Sequence, residues 1–231
     1  MRVAALLPAL NEEDSLPTVL RGLDGRGLEP IVVVDNGSTD GTPAVARAHG
    51  ALVVSCPRRG YGSACLAGLA RLSDDPPDVV VFLDADGADD PDDLPALLGP
   101  LRDGTADLVI GSRVTGHAER GALTPVQRFG NALSCTLIER AFGARFTDLG
   151  PFRAVRWETL EVLQMRDPDF GWTVEMQARA ARLGLRWREV PVRYRRRVAG
   201  RSKVAGTVAG SVRAGAKILY TIARELARGR D

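Results

Sequence analysis

The chain has 231 residues, 45% of them hydrophobic and 26% charged, with a net charge of +2. This is core enough for one large α/β domain and excludes a disordered or fibrous chain. Three scattered cysteines, Cys56, Cys65 and Cys135, form no C-x-x-C pair, which argues against a disulfide framework or a structural zinc site and favours a reducing compartment.

The charge is unevenly distributed. From Arg186 to Asp231, thirteen Arg and Lys stand against three acids, a net of +10 that leaves −8 for the rest of the chain. An acidic body suits a cation site, and a basic tail suits an anionic partner. Arginine-rich codon usage is the plain alternative for the tail. The first apolar run meets Asn11-Glu12-Glu13 too early for a secretory signal. No uncharged apolar run reaches about eighteen residues. The expectation is a cytoplasmic protein, soluble or peripheral at the inner face of the membrane, with no nucleic-acid partner.

In chain order, Val3–Leu7, Pro30–Val34, Ala51–Ser55, Val79–Leu83 and Asp107–Ile110 are short Val/Leu/Ile-rich runs without polar alternation. Such runs predict strands buried on both faces of a parallel sheet. Helices lie between them. One begins at Pro17 and stops near Gly22, and another has Thr42 as cap, Pro43 in its first turn and Gly50 as its stop. This βαβ alternation predicts an open, doubly wound α/β sheet, whose ligands bind beyond the carboxyl ends of the strands. After Ser112 the spacing predicts a helix over Pro125–Phe142, a strand over Gly150–Val155, a helix over Trp172–Leu183 and a half-exposed strand over Arg186–Tyr194. A basic loop, Arg195–Gly206, then leads into a final helix. The expected organisation is one domain, residues 1–206, with a basic amphipathic helix appended over 207–231.

Asp84-Ala85-Asp86 directly follows the fourth apolar run. Two carboxylates at i and i+2 on a chain leaving a sheet can both reach one hard divalent cation, Mg²⁺ or Mn²⁺. Such a cation neutralises a departing diphosphate. A solvated acidic turn is the bland alternative. Asp89, Asp90, Asp92 and Asp93 read as the start of a helix, with Asp90-Pro91 as cap and first turn. Asp35 and Asp40, after the second run, suit a ribose or base N–H, or else simply build a turn. Arg59-Gly60-Tyr61-Gly62 is a glycine loop opening a helix without the G-x-G-x-x-G frame, so no dinucleotide fingerprint is present.

In order, Leu7-Pro8-Ala9-Leu10-Asn11-Glu12-Glu13, Val33–Thr42, Arg59–Gly62, Asp84-Ala85-Asp86, Asp107–Arg113, Thr147–Arg153, Gly171–Met176, Glu189–Val192 and Arg197–Lys203 make this chain resemble the family-2 glycosyltransferases of GT-A fold. Within that family it is most similar to the dolichol- or polyprenyl-phosphate mannosyl- and glucosyltransferase branch. The resemblance implies an inverting hexosyltransferase with a UDP- or GDP-sugar donor, Mg²⁺ or Mn²⁺, and a polyprenyl phosphate acceptor. It implies that Pro8, Leu10, Glu12 and Asp35 hold the nucleoside, and that Asp84, Ala85 and Asp86 serve the ribose–phosphate and the metal. Arg197, Ser202 and Lys203 would close over the diphosphate, and Arg113 and Arg128 would face the acceptor phosphate. The chain departs from the branch at Gly87, Ala88 and Leu10, where bulkier, polar or aromatic residues are frequent.

Asp148 reads two ways. A hydroxyl acceptor needs it as general base, whereas a phosphate acceptor, whose second pKa is about 6, arrives ionised and leaves Asp148 a structural role. Glu175 reads as the partner of an arginine, and His49 and His117 show no ligand spacing. On the final helix, Val208, Val212, Gly215, Leu219, Ile222 and Leu226 share one side and Arg213, Lys217, Arg224 and Arg228 the other. Such a helix either meets a membrane or docks its apolar side on the core or on a second subunit, leaving a solvated basic side. Transfer to a soluble hydroxyl acceptor remains the alternative activity. A sugar-phosphate nucleotidyltransferase would want a glycine-rich loop with a basic residue after the first strand, where this chain has Pro8-Ala9-Leu10-Asn11, and a non-catalytic nucleotide-binding module is the remaining class.

Overall fold

The computed structural model describes residues 1–199 and 208–228. Strands form at the apolar runs: β1 (Val3–Ala9), β2 (Leu28–Asp35), β3 (Leu52–Ser55) and β4 (Val79–Phe82), then β5 (Leu108–Ala118), β6 (Arg153–Arg156) and β7 (Trp187–Tyr194). The helices are α1 (Leu16–Leu23), α2 (Thr42–Ala48), α3 (Tyr61–Leu72), α4 (Leu94–Arg102), α5 (Pro125–Phe142), α6 (Trp157–Leu163), α7 (Trp172–Arg182) and α8 (Val208–Ala227). The strands make one sheet in the order β3-β2-β1-β4-β6-β5-β7. All neighbours are parallel except around β6, which runs antiparallel to both β4 and β5.

Alternate residues of each central strand feed two cores, as the period-2 geometry requires. Ala4, Leu6, Val32, Val34, Val80 and Phe82 pack beneath α3, α5 and α7. Ala5, Leu7, Val33 and Val81 pack beneath α1 and α4. With helices on both faces, the central strands have no polar face to show, which is why their sequences read as unbroken apolar runs.

Several boundaries differ from expectation. β5 extends well beyond Ile110, because its outer half pairs with β7 as far as Ala118 opposite Tyr194. β6 starts at Arg153 rather than Gly150. Helix α6, which no cap or stop signal announces, follows β6 without a loop. Thr42 is the first residue of α2 rather than its cap, and the Asp40 carboxylate accepts its N–H at 3.0 Å. Helix α5 carries a capping box between Thr124 and Gln127 and ends at the left-handed Gly143.

Helix α8 is oriented opposite to the docked, solvent-charged arrangement. Its charged residues face the body: Lys217 pairs with Asp167 at 3.0 Å, Arg224 with Glu175 at 2.6 Å and Arg228 with Glu225 at 2.9 Å. Glu225 and Thr221 are fully buried, and Glu225 also meets the buried Arg179 at 3.1 Å. Ile222 is buried, but Leu219 and Leu226 are exposed. Buried acids of the body decide this, because an unpaired buried carboxylate costs more than an exposed leucine. The side chains of Val208, Val212 and Arg213 lie outside the described ones. Among the described residues no helix is long and apolar enough to cross a membrane.

Candidate active site

The predicted site residues gather along the carboxyl edge of the sheet. β1 ends there, and Pro8 and Leu10 are half-buried where the chain leaves it. Glu12 is buried; its N–H donates to Thr42 Oγ1 at 2.8 Å and its Oε2 accepts from Ser15 Oγ at 2.8 Å. At the end of β2, Asp35 accepts the Ser38 N–H at 2.8 Å. Asn36 accepts the Gly60 N–H at 2.9 Å and donates to the Arg58 carbonyl at 2.7 Å. It thereby ties the glycine loop before α3 to this edge. Asp40 is a turn residue ahead of α2, accepting from the Thr42 N–H and hydroxyl and from the Glu13 N–H.

Asp84-Ala85-Asp86 leaves β4 and turns at Gly87, where φ is 76°. A Cβ at Gly87 would lie 2.6 Å from Val198 Cγ2, so the turn needs glycine both for its backbone and for room. Ala85 is buried, with its carbonyl accepting from Ser15 Oγ at 2.9 Å. Asp86 Oδ1 accepts the Ala88 N–H at 2.9 Å. The turn brings back Asp89, whose Oδ2 accepts the Asp84 N–H at 3.1 Å. Asp89 Oδ1 is buried without a hydrogen-bond partner among the described residues. Asp89 is thus a member of the acidic cluster rather than of the helix start, whereas Asp90 does cap the following turn through the Asp92 N–H.

Burial, and then the charges of Asp86 and Asp89, push the Asp84 carboxyl well above its usual range. Burial and then Asp86 push Asp89 up to about 7. An under-compensated negative cluster with an orphaned carboxylate oxygen fits a hard divalent cation. No three acidic, His or Cys side chains among the described residues converge closely enough to hold an ion by themselves. The remaining ligands must come from phosphate oxygens or water.

The segment after β7 crosses this cluster. The Arg195 N–H donates to the Ala88 carbonyl at 2.7 Å and the Val198 N–H to the Asp86 carbonyl at 3.0 Å. Between them Arg197 reaches Asp86 Oδ2 through Nη1 at 2.7 Å and Glu12 Oε1 through Nη2 at 2.5 Å. Ser202 and Lys203 lie outside the described residues, as does most of the basic loop's second half.

On the other side stand Arg113 and Asp148. Asp148 is fully buried and accepts three bonds from Arg113: from its backbone N–H at 2.7 Å, Nε at 2.8 Å and Nη2 at 2.7 Å. Both carboxylate oxygens are therefore engaged. Burial opposes the charge on Arg113, but Asp148 outweighs it and raises the guanidinium pKa. Tyr194 stacks on the same guanidinium at 5.0 Å. The Thr147–Leu149 backbone is clamped by Glu189, Asn131 and Gln177. Arg128, early in α5, is exposed, and its side chain has no hydrogen bond or ion pair among the described residues. Glu175 pairs with Arg179 and Arg224, as expected of an arginine partner. His49 only meets the Val45 carbonyl of its own helix.

Residues 5–163 match the sequence family described as Glycosyl transferase family 2. This chain belongs to glycosyltransferase family 2. An uncharacterized glycosyltransferase of Mycobacterium tuberculosis is 42% identical over 211 residues, covering 91% of this glycosyltransferase and 93% of the relative. The undecaprenyl-phosphate mannosyltransferase of Micrococcus luteus is 35% identical, covering 91% and 90%. Among solved structures, glucosyl-3-phosphoglycerate synthase from Mycobacterium tuberculosis, in complex with Mn²⁺, UDP-glucose and phosphoglyceric acid, superposes with a TM-score of 0.76 at 26% identity. That superposition covers 97% of this chain and 79% of the neighbour.

Proposed function

We propose that this glycosyltransferase moves a hexose, with inversion, from a UDP- or GDP-sugar to a polyprenyl phosphate. The observation that carries the acceptor reading is the engagement of both Asp148 oxygens by Arg113. A general base needs a free lone pair within reach of the acceptor proton; Asp148 is fully buried and gives three of its four carboxylate lone-pair sites to Arg113. A phosphate monoester needs no base, because it arrives already ionised. Its oxygen forms the new bond to the anomeric carbon as the bond from that carbon to the nucleoside diphosphate breaks. The undecaprenyl-phosphate mannosyltransferase of Micrococcus luteus supports this acceptor class.

Pro8, Leu10, Glu12 and Asp35 hold the nucleoside, and Asp84 and Asp86 hold the cation, with Ala85 beside the ribose. When bound, Mg²⁺ or Mn²⁺ neutralises charge developing on the leaving diphosphate. The Mn²⁺ and UDP-glucose complex of the neighbouring synthase supports the donor and the metal. Arg197 exchanges its carboxylate partners for the diphosphate, joined by Ser202 and Lys203. Asp148 positions Arg113, and Arg113 and Arg128 guide the acceptor phosphate. Residues 1–206 form the catalytic unit, and 207–231 an appended helix.

The second reading, a soluble hydroxyl acceptor with Asp148 as base, is favoured by the phosphoglyceric acid in that same neighbour. The test is transfer from labelled UDP- and GDP-sugars to polyprenyl phosphate and to phosphoglyceric acid. Arg128→Ala is expected to lose roughly a hundredfold in transfer to polyprenyl phosphate with donor affinity nearly unchanged, while Asp148→Asn keeps appreciable activity. An inactive Asp148→Asn that stays folded, beside a fully active Arg128→Ala, sinks the lipid-phosphate reading.

A further inference from the structure

The outward side of α8 is apolar along its described length. Ala216, Leu219, Tyr220, Ala223, Leu226 and Ala227 are exposed at spacings of three and four, which puts them on one face. Leu219 is 49% exposed, Tyr220 59% and Leu226 52%. From residue 215 onward the charges of α8 lie off that face: Lys217, Arg224 and Arg228 at its margin and Glu225 fully buried. Lys217 and Arg224 lie 5.8 and 5.9 Å from the Tyr220 ring, so cations border the apolar stripe directly. Helix α5 packs beside α8 and carries a second stripe, Val126, Phe129 and Leu133, with Phe129 71% exposed. Arg140, seven residues on from Leu133, continues this stripe as an exposed cation with no ion pair among the described residues.

We infer that the outward faces of α8 and α5 together dock the enzyme on a bilayer surface containing anionic phospholipid. Large side chains exposed in register on two neighbouring helices mark a contact surface rather than scattered surface leucines. The rim chooses the partner. In a twofold dimer the same patch meets itself, and the margins of α8 would bring the partly exposed Lys217, Arg224 and Arg228 toward their own copies, while the acids they pair with, Asp167, Glu175 and Glu225, are buried on the body side. Anionic headgroups beside acyl chains match an apolar stripe with a cationic border. Helix α5 links this surface to the site, since Asn131 on its inner side holds the Thr147 and Leu149 backbone by two hydrogen bonds. The inference rests on the lipid-phosphate reading only for its purpose; the surface itself is read from exposure and charge.

The test is sedimentation of the full chain with vesicles of phosphatidylcholine alone and of phosphatidylcholine with phosphatidylglycerol. Binding to the anionic vesicles is expected, and Leu219→Asp and Leu226→Asp should each lower the partition coefficient by about tenfold or more. Both positions are exposed, so thermal midpoints and nucleotide affinity should stay at wild-type values. Both variants should also keep transfer to a short, water-soluble isoprenyl phosphate while losing transfer to vesicle-embedded polyprenyl phosphate. Absence of vesicle binding by the wild type, or binding indifferent to both variants, overturns the proposal. So does a wild-type dimer that Leu219→Asp turns into a monomer with vesicle binding intact. If vesicles bind as expected and no isoprenyl phosphate of any length accepts sugar, the docking stands and the acceptor reading falls.

Discussion

Asp89 shows how much one backbone angle controls. The left-handed turn at Gly87 folds the chain back, so that Asp89 lies beside Asp84 and Asp86. Its carboxyl titrates at about 7 instead of the ordinary 3.8, through burial and then the charge of Asp86. Between those values the native state holds a proton that the unfolded chain has released. At this group, the cation-free protein therefore loses stability as pH rises from about 4 to about 7. A cation must expel the proton to bind. The thermal shift produced by Mn²⁺ should thus be larger at about pH 8 than at about pH 5.5. Asp89→Asn should raise the cation-free midpoint at the higher pH and narrow the difference between the two. Equal Mn²⁺ shifts at both pH values in the wild type would show that the cation does not meet this cluster. The spacing of Asp84 and Asp86 after an apolar strand was readable in the sequence. The arrival of Asp89 was not, since a run of acids before a proline is also how a helix starts. The Arg113–Asp148 pair, 35 residues apart, is a tertiary contact without a local signature.

Among the elements, the start of α3 and the 167–169 turn lie in tight backbone contact. A Cβ on Gly62 would lie 1.9 Å from the Asp167 carbonyl oxygen, and the Ser63 N–H donates to the Pro168 carbonyl at 2.7 Å. Gly62→Ala must push this turn off the helix start, and the turn is itself tied to α8 through Asp167 and Lys217. The expected cost is about 2–4 kcal/mol, read as a fall of roughly 5–15 °C in midpoint. A midpoint within about 2 °C of wild type would mean that the turn yields freely. Helix α8 shows the limit of periodicity. A wheel separates its apolar and charged sides correctly, but which side faces inward depends on Asp167, Glu175 and Glu225, and a wheel of one helix contains no neighbours. The strands β1 and β4 were readable for the opposite reason: both of their faces are covered, so one rule applies along them.

Across the whole molecule, Arg197 connects the ends of two strands, joining Glu12 after β1 to Asp86 after β4. It supplies positive charge where a cation would otherwise sit, so the two compete for the Asp86 carboxylate. Arg197→Ala should lower the midpoint of the cation-free protein and, without nucleotide, bind Mn²⁺ several-fold more tightly, as calorimetry would measure. Weaker Mn²⁺ binding by the variant would mean that Arg197 helps to hold the ion rather than excluding it.

The reversed strand β6 has a consequence for how the protein can change. Because β6 runs against β4, with Arg153 opposite Phe82, it is the start of β6 that lies beside Asp84. The stretch from Asp148 to Arg153 therefore works as a ruler whose zero is set by backbone pairing. Adding or removing one residue there would move Asp148 by about 3.3 Å relative to the aspartates and to Arg113, whose own strand keeps its register. The connection between β5 and α5, residues 119–124, belongs to no strand, so its length sets no register in the sheet. Length variation among descendants of this sequence should accumulate in that connection and be absent between Asp148 and Arg153.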